Sequence, residues 1–136
     1  MYLLDTNIIS ELRKTKPHGA VLAWVQTIPE NDLYISAVTM GEIQRGIELT
    51  RDQNPVRAQQ LHAWADQLAM TRQVLPMDST TFRLWAQLMH HQSDVLNEDA
   101  MIAATALIHQ FTVVTRNVRD FAHFKVPVLN PFEFSL

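Results

Sequence analysis

Four carboxylates, Asp5, Glu42, Asp99 and Asp120, stand at or near junctions between strand-like and helix-like segments of the chain. Asp5 directly follows the apolar run Tyr2-Leu3-Leu4, where a lone buried carboxylate is costly unless a hydrogen bond, a cation or a metal compensates it. Each acid also has a plain structural role open to it. Asp5 could cap a helix, Glu42 could be a solvated helical side chain, and Asp99 could answer the macrodipole of a helix first turn. Asp120 could sit in a surface turn. Taken together they suggest more, because carboxylates converging without a cation repel one another and a hard divalent ion resolves that repulsion. Mg²⁺ takes oxygen ligands and keeps several waters, so a few carboxylates and substrate phosphate oxygens suffice. Glu98 adjoins Asp99, but successive helical side chains diverge by about 100°, so only one of the two can point squarely at a common site.

The elements that must position these acids follow from apolar spacing. Tyr2 to Leu4 reads as a short buried strand, and Asp5-Thr6-Asn7 offers caps for a helix carrying Ile8, Ile9 and Leu12. Pro17 and Gly19 interrupt, and Val21, Leu22, Trp24, Val25 and Ile28 sustain a second helix up to Pro29. Leu33 to Ser36 reads as a second strand, followed from Val38 by a helix with Glu42 in an early turn. After the breaker Asp52-Gln53-Asn54-Pro55, an amphipathic helix runs to about Arg72 through Leu61, Trp64, Ala65 and Leu68. Val74 to Met77 is the third strand, and Asp78-Ser79-Thr80 caps a helix through Phe82, Trp85, Leu88 and Met89. Asn97 is placed as the cap of the next helix, rich in small residues from Ala100 to Ala106. Phe111 to Thr115 gives strand four, and Val126 to Leu129 an edge strand. Strands alternating with helices predict an α/β/α sandwich on a mostly parallel sheet, in which function gathers where strands deliver the chain into helices.

The 136 residues, 47% hydrophobic and 18% charged, suit one domain spanning 1–136. With no cysteine there is neither a disulfide framework nor a thiolate metal site, and no pair of the six histidines has zinc-ligand spacing. No apolar stretch approaches a membrane span and no basic-then-apolar leader opens the chain, so a soluble, cytoplasmic protein is expected. A net charge of -3 argues mildly against a broad nucleic-acid-binding surface, yet arginines or lysines can still rim an acidic pocket. Arg13, Lys14 and Lys16 form one such group, and Arg116 and Arg119 another. Walker A, G-x-G-x-x-G, G-x-S-x-G and H-E-x-x-H patterns are all missing.

Four ordered blocks carry a family resemblance. Leu3-Leu4-Asp5-Thr6-Asn7, Ile35 to Ile43 around Gly41-Glu42, Glu98-Asp99-Ala100 to Ala106, and Val114-Thr115-Arg116-Asn117 to Phe121 closely resemble PIN-domain toxins of the VapC and FitB type. The ending Val128-Leu129-Asn130-Pro131-Phe132 also fits, so the resemblance runs almost the length of the chain. It implies an endoribonuclease of a toxin–antitoxin system, in which Asp5, Glu42 and Asp99 bind Mg²⁺ or Mn²⁺. Many members have a fourth acid directly after the strand-four threonine turn, whereas this chain has Asn117 there and Asp120 three residues later. Asp120 is thus the fourth assignment, with Thr6, Asn7, Thr115, Arg116 and Asn117 as supporting or substrate-contacting residues. The resemblance further implies structured RNA such as tRNA as substrate, an antitoxin that covers the acidic pocket and carries the contact with operator DNA, and a homodimer, with the Val56 to Arg72 helix as a candidate interface. Two other readings stay open: a PIN-like interaction module without catalysis, and a metal-dependent phosphatase. The phosphatase lacks the Asp-x-Asp expected after strand one, since Thr6-Asn7 follows Asp5.

Overall fold

A computed structural model describes residues 1–135. Five short strands, β1 (Tyr2–Leu4), β2 (Leu33–Ser36), β3 (Gln73–Leu75), β4 (Thr112–Val114) and β5 (Val128–Leu129), form one sheet in the order β3-β2-β1-β4-β5. Every pairing is parallel, so the expected mostly parallel sheet is parallel throughout the described residues. The first strand is therefore the central one. Leu4 lies between Ile35 on β2 and Val114 on β4, which sets the residues after each of these strands along one edge.

Seven helices flank the sheet: α1 (Thr6–Arg13), α2 (Gly19–Thr27), α3 (Ala37–Arg51), α4 (Pro55–Thr71), α5 (Ser79–Met89), α6 (Asn97–His109) and α7 (Val118–Phe121). Their starts are fixed by short polar side chains that accept otherwise unpaired first-turn N–H groups. Asp5, Ser36, Asn54 and Asp78 cap α1, α3, α4 and α5, and Pro55 opens α4 where its missing N–H costs nothing. Asn97, expected as a cap, is instead the first residue of α6. A 3-10 turn over Asp94–Leu96, capped by Ser93, runs straight into the helix and leaves Leu96 at the cap position.

Alternation along β1 divides the core. Leu3 points to one face of the sheet, where it packs with Ala100, Ala103 and Ala106 of α6, Phe121 and Phe124. Leu4 points to the other, among Ile8 and Ile9 of α1, Val21 and Trp24 of α2, and Leu68 of α4. Both leucines are fully buried, a contribution of roughly 1.5–3 kcal/mol each. The alanines let α6 lie close on the sheet, which is how its first turn comes within reach of Asp5. Leu68, offered from sequence as dimer interface or core, is core, and half-buried Trp64 packs intramolecularly beside it.

Candidate active site

The parallel register puts Asp5 and Thr115 side by side, one residue beyond the paired Leu4 and Val114. The Asp5 N–H donates to the Val114 carbonyl at 2.9 Å, extending the ladder by one bond. Its carboxylate, only 4% exposed, takes three donors: the Thr6 N–H at 2.8 Å, the Thr115 hydroxyl at 2.8 Å and the Asn7 amide at 3.2 Å. The fully buried Thr115 oxygen in turn accepts the Asn117 N–H at 2.9 Å, and Asn7 Oδ1 accepts the Arg116 N–H at 3.2 Å. Thr115 and Asn7 thus stitch the β1–α1 junction to the turn after β4. Helix capping, the plain role considered for Asp5, is real. It occupies one oxygen with Thr6, while the other accepts the nearby Asn7 amide and the Thr115 hydroxyl, from a turn about 110 residues away.

Glu42 arrives from the second turn of α3, on the face toward α1. The Thr6 hydroxyl donates to Glu42 Oε1 at 2.7 Å, and the buried Thr39 hydroxyl lies 3.1 Å from the same Thr6 oxygen. Thr6 has one hydroxyl proton and a carboxylate can only accept, so that proton belongs to Glu42 and Thr39 donates to Thr6. Asp99 comes from the first turn of α6. Asp5, Thr6, Asn7, Glu42, Asp99 and Asn117 line a single open cleft of about 410 Å³.

The electrostatics of the cleft run one way. Burial pushes the Asp5 carboxyl up, against the lowering effect of its bonds to Thr115 and Thr6. Partial burial raises Glu42, opposed by the Thr6 hydroxyl and reinforced by the charges of Asp5 and Glu98, with Arg45 pulling weakly back. Asp99 is pushed up to about 7, first by burial and then by the charges of Asp5, Asp120, Glu42 and Glu98. A helix first turn alone would stabilise the Asp99 anion. Its carboxyl rises instead, so desolvation and repulsion outweigh the dipole here.

Asp120, half-buried on α7, acts on Asp99 through charge and is not among the residues that line the cleft; the residue of the turn after β4 that does line it is Asn117. Arg116 contributes its backbone N–H, while its guanidinium lies over the Phe132 ring at 4.4 Å rather than among the acids. Ser10, Glu11 and Lys14, three positions on and just beyond α1, line the cleft although sequence reasoning gave them no part in the acid cluster. Their spacing from Asn7 at three, four and seven residues is the helical signal that places them on its face. Thr39 was likewise missed, and only the helix facing Thr6 makes it relevant.

The donor set suits a hard cation: carboxylate and amide oxygens, with neither cysteine nor histidine lining the cleft. No three acidic or histidine side chains among the described residues are arranged to enclose a metal ion directly. A hydrated Mg²⁺ held through one or two carboxylates, its remaining sites filled by water, matches such an open arrangement.

A five-stranded parallel sheet with acids gathered at the ends of its central strands defines a class of protein. The PIN domain family matches residues 2–126, and the chain belongs to that family. Within it, the chain is 34% identical over 139 residues to Toxin FitB of Neisseria gonorrhoeae, covering 97% of this chain and 99% of that protein. It is 36% identical over 144 residues to VapC ribonuclease Y4jK of Sinorhizobium fredii, covering 98% and 99%. A solved structure of FitAB bound to an IR36 DNA fragment superimposes with a TM-score of 0.84 at 34% identity, covering 100% of this chain and 99% of that one.

Proposed function

We propose that this protein is a divalent-metal-dependent endoribonuclease, the toxin of a toxin–antitoxin pair, acting in the cytoplasm on structured RNA such as tRNA. The observation that carries the reading is the convergence of Asp5, Glu42 and Asp99 on one cleft, with an Asp99 carboxyl raised to about 7 by burial and then by the charges of its neighbours. Such a set is electrostatically incomplete without a cation. The names of the relatives, a VapC ribonuclease and a toxin, support the activity and the setting.

Asp5, Glu42 and Asp99 would hold a hydrated Mg²⁺, or Mn²⁺, between them, one or two directly and the rest through water, with Asp120 contributing through its field and Asn117 through its amide. When bound there, such an ion would supply polarisation of the phosphodiester and activation of a water. The protein's own part is positional. Thr115, Asn7 and the Thr6 N–H fix Asp5, and Thr6 fixes Glu42, so that the acids are oriented where the ion and the scissile phosphate would meet and their hydrogen bonds oppose the upward push of burial. A carboxylate whose pKa lies near neutrality, Asp99, is also suited to accept a proton from the attacking water. In-line attack at phosphorus would expel the 3′-oxygen, leaving a 5′-phosphate and a 3′-hydroxyl.

An acidic cleft is a receptor for a guanidinium, which suits an antitoxin segment that inserts an arginine and blocks the acids. Contact with operator DNA would then pass through the antitoxin, consistent with the DNA-bound FitAB assembly. A homodimer is part of the same proposal. Val56 and Met70 of α4, 70% and 86% exposed, supply apolar surface for it on the side of the helix away from Leu68. No helix among the described residues is long and apolar enough to cross a membrane.

The test is incubation of antitoxin-free protein with total tRNA and a ribosomal RNA panel in Mg²⁺, Mn²⁺ or EDTA, with Asp5→Asn as control and product ends mapped. Discrete metal-dependent cuts leaving 5′-phosphates, absent in the variant, are expected. Folded, metal-loaded protein that cleaves none of these RNAs would count against the ribonuclease.

A further inference from the structure

One side of the cleft has a built feature that the acid cluster does not use. Glu11, on the last turn of α1, is a carboxylate only 8% exposed, and both its oxygens are engaged. Oε2 accepts the His18 N–H at 3.0 Å, tying α1 to the start of α2, and Oε1 accepts the Lys14 ammonium at 3.0 Å. Lys14 is held to Glu11 a second time, through its own N–H to the Glu11 carbonyl at 3.2 Å. Its side chain is nevertheless 60% exposed, and it is the sole basic residue lining the cleft. Two neighbouring cations are committed elsewhere: Arg13 lies over the Trp64 ring at 5.5 Å and Arg116 over Phe132 at 4.4 Å.

An ammonium has three donors, and Glu11 takes one, so two N–H groups face the cleft and solvent. Lys14 follows Asn7 by seven residues, which at the helical rise is about 10 Å along α1. Held to Glu11 toward the C-terminal end of α1, the ammonium is turned away from Asp5 at the N-terminal end and is placed for another phosphate of the same strand. We infer that Lys14, oriented by Glu11, is a positioning residue that binds a phosphate flanking the scissile one and sets how RNA threads the cleft along α1. Glu11 keeps the lysine from folding back onto Asp5, Glu42 and Asp99, where it would compete with the cation. The inference rests on the ribonuclease reading.

Lys14→Gln and Lys14→Arg are compared with the unsubstituted protein in three measurements. These are steady-state cleavage of total tRNA, salt-dependent binding of a labelled oligouridylate with Mg²⁺ in an Asp5→Asn background, and thermal unfolding. Losing one phosphate contact should raise KM about fivefold, the upper end for an exposed ion pair, with kcat changed much less. The slope of log affinity against log salt should fall by about 0.7 for single-stranded RNA, and arginine should restore it. A purely structural Lys14–Glu11 pair would lower the melting temperature and leave KM and the salt slope alone. That result, or an unchanged glutamine variant, overturns the inference while the ribonuclease stands. An unsubstituted protein that cuts no RNA would instead strike at the ribonuclease reading, and the oligouridylate salt slope would still decide whether Lys14 meets phosphate.

Discussion

Removing the charge of Asp99 should make the metal-free protein more stable at alkaline pH while abolishing cleavage. The Asp99 carboxyl moves from an ordinary 3.8 to about 7 in the folded chain. A raised acid lowers folding stability as pH climbs, because the unfolded chain releases the proton first. The cost is absent below 3.8, grows between there and about 7, and is complete above. At about 1.4 kcal/mol for each tenfold change in proton affinity the rise is worth roughly 4 kcal/mol, and solvent screening of a partly exposed group reduces this to roughly 2. Asp99→Asn also forfeits the attraction of the α6 dipole, about 0.5 kcal/mol, which is smaller. Urea or thermal unfolding in EDTA at pH 8 should therefore find the variant more stable by roughly 1.5 kcal/mol, several degrees in melting temperature for a chain of this size. Near pH 5 the gain should shrink to about a third. Mg²⁺ should stabilise the unsubstituted protein more than the variant, since binding to the folded state alone adds stability. An Asp99→Asn protein less stable than its parent in EDTA at pH 8 would refute the picture of repelling, partly desolvated acids.

Thr115→Val removes the hydroxyl that donates to Asp5 and accepts from Asn117, so urea unfolding should show a loss of about 1–3 kcal/mol together with reduced cleavage. Cleavage rates followed across pH should fall as Asp99 protonates below about 7, and raising Mg²⁺ should move that midpoint to lower pH, because the cation favours the ionised acid. Asn117→Asp restores an acid beside Thr115. It should lower the Mg²⁺ concentration needed for half-maximal cleavage, and in the metal-free protein raise Asp99 further, as titration by NMR would report.

Residues whose neighbours are close in sequence were the readable ones. Tyr2 to Leu4 announces a strand, and Asp5 the helix after it, because apolar run and cap are contiguous. The exception among caps, Asn97, fails for a physical reason: the 3-10 turn at Asp94–Leu96 supplies the entrance to α6, so no capping side chain is required there. Glu42 and Asp99 could be matched to a motif, but their shared cleft depends on α3 and α6 meeting at the end of β1, which local periodicity does not encode. The turn after β4 shows the limit most clearly. Asn117 and Asp120 are three residues apart and either could serve as a fourth polar group; the folded turn puts Asn117, whose N–H bonds Thr115, at the cleft wall and leaves Asp120 acting on Asp99 through its charge. Lys14 was visible as a basic residue in a basic run. Its difference from Arg13 and Lys16 appears only when Glu11 is seen to hold it.

The central strand, β1, is made about 110 residues ahead of its partner β4. Until a ribosome has passed Thr115, Asp5 has nothing from that turn to hold it and β1 has an empty edge. An unfinished chain therefore carries Asp5, Glu42 and even Asp99 without the turn that sets their geometry. Only once Thr115 and Asn117 have emerged can the contacts that fix Asp5 form, so the cleft is completed after all three acids are already present along the chain.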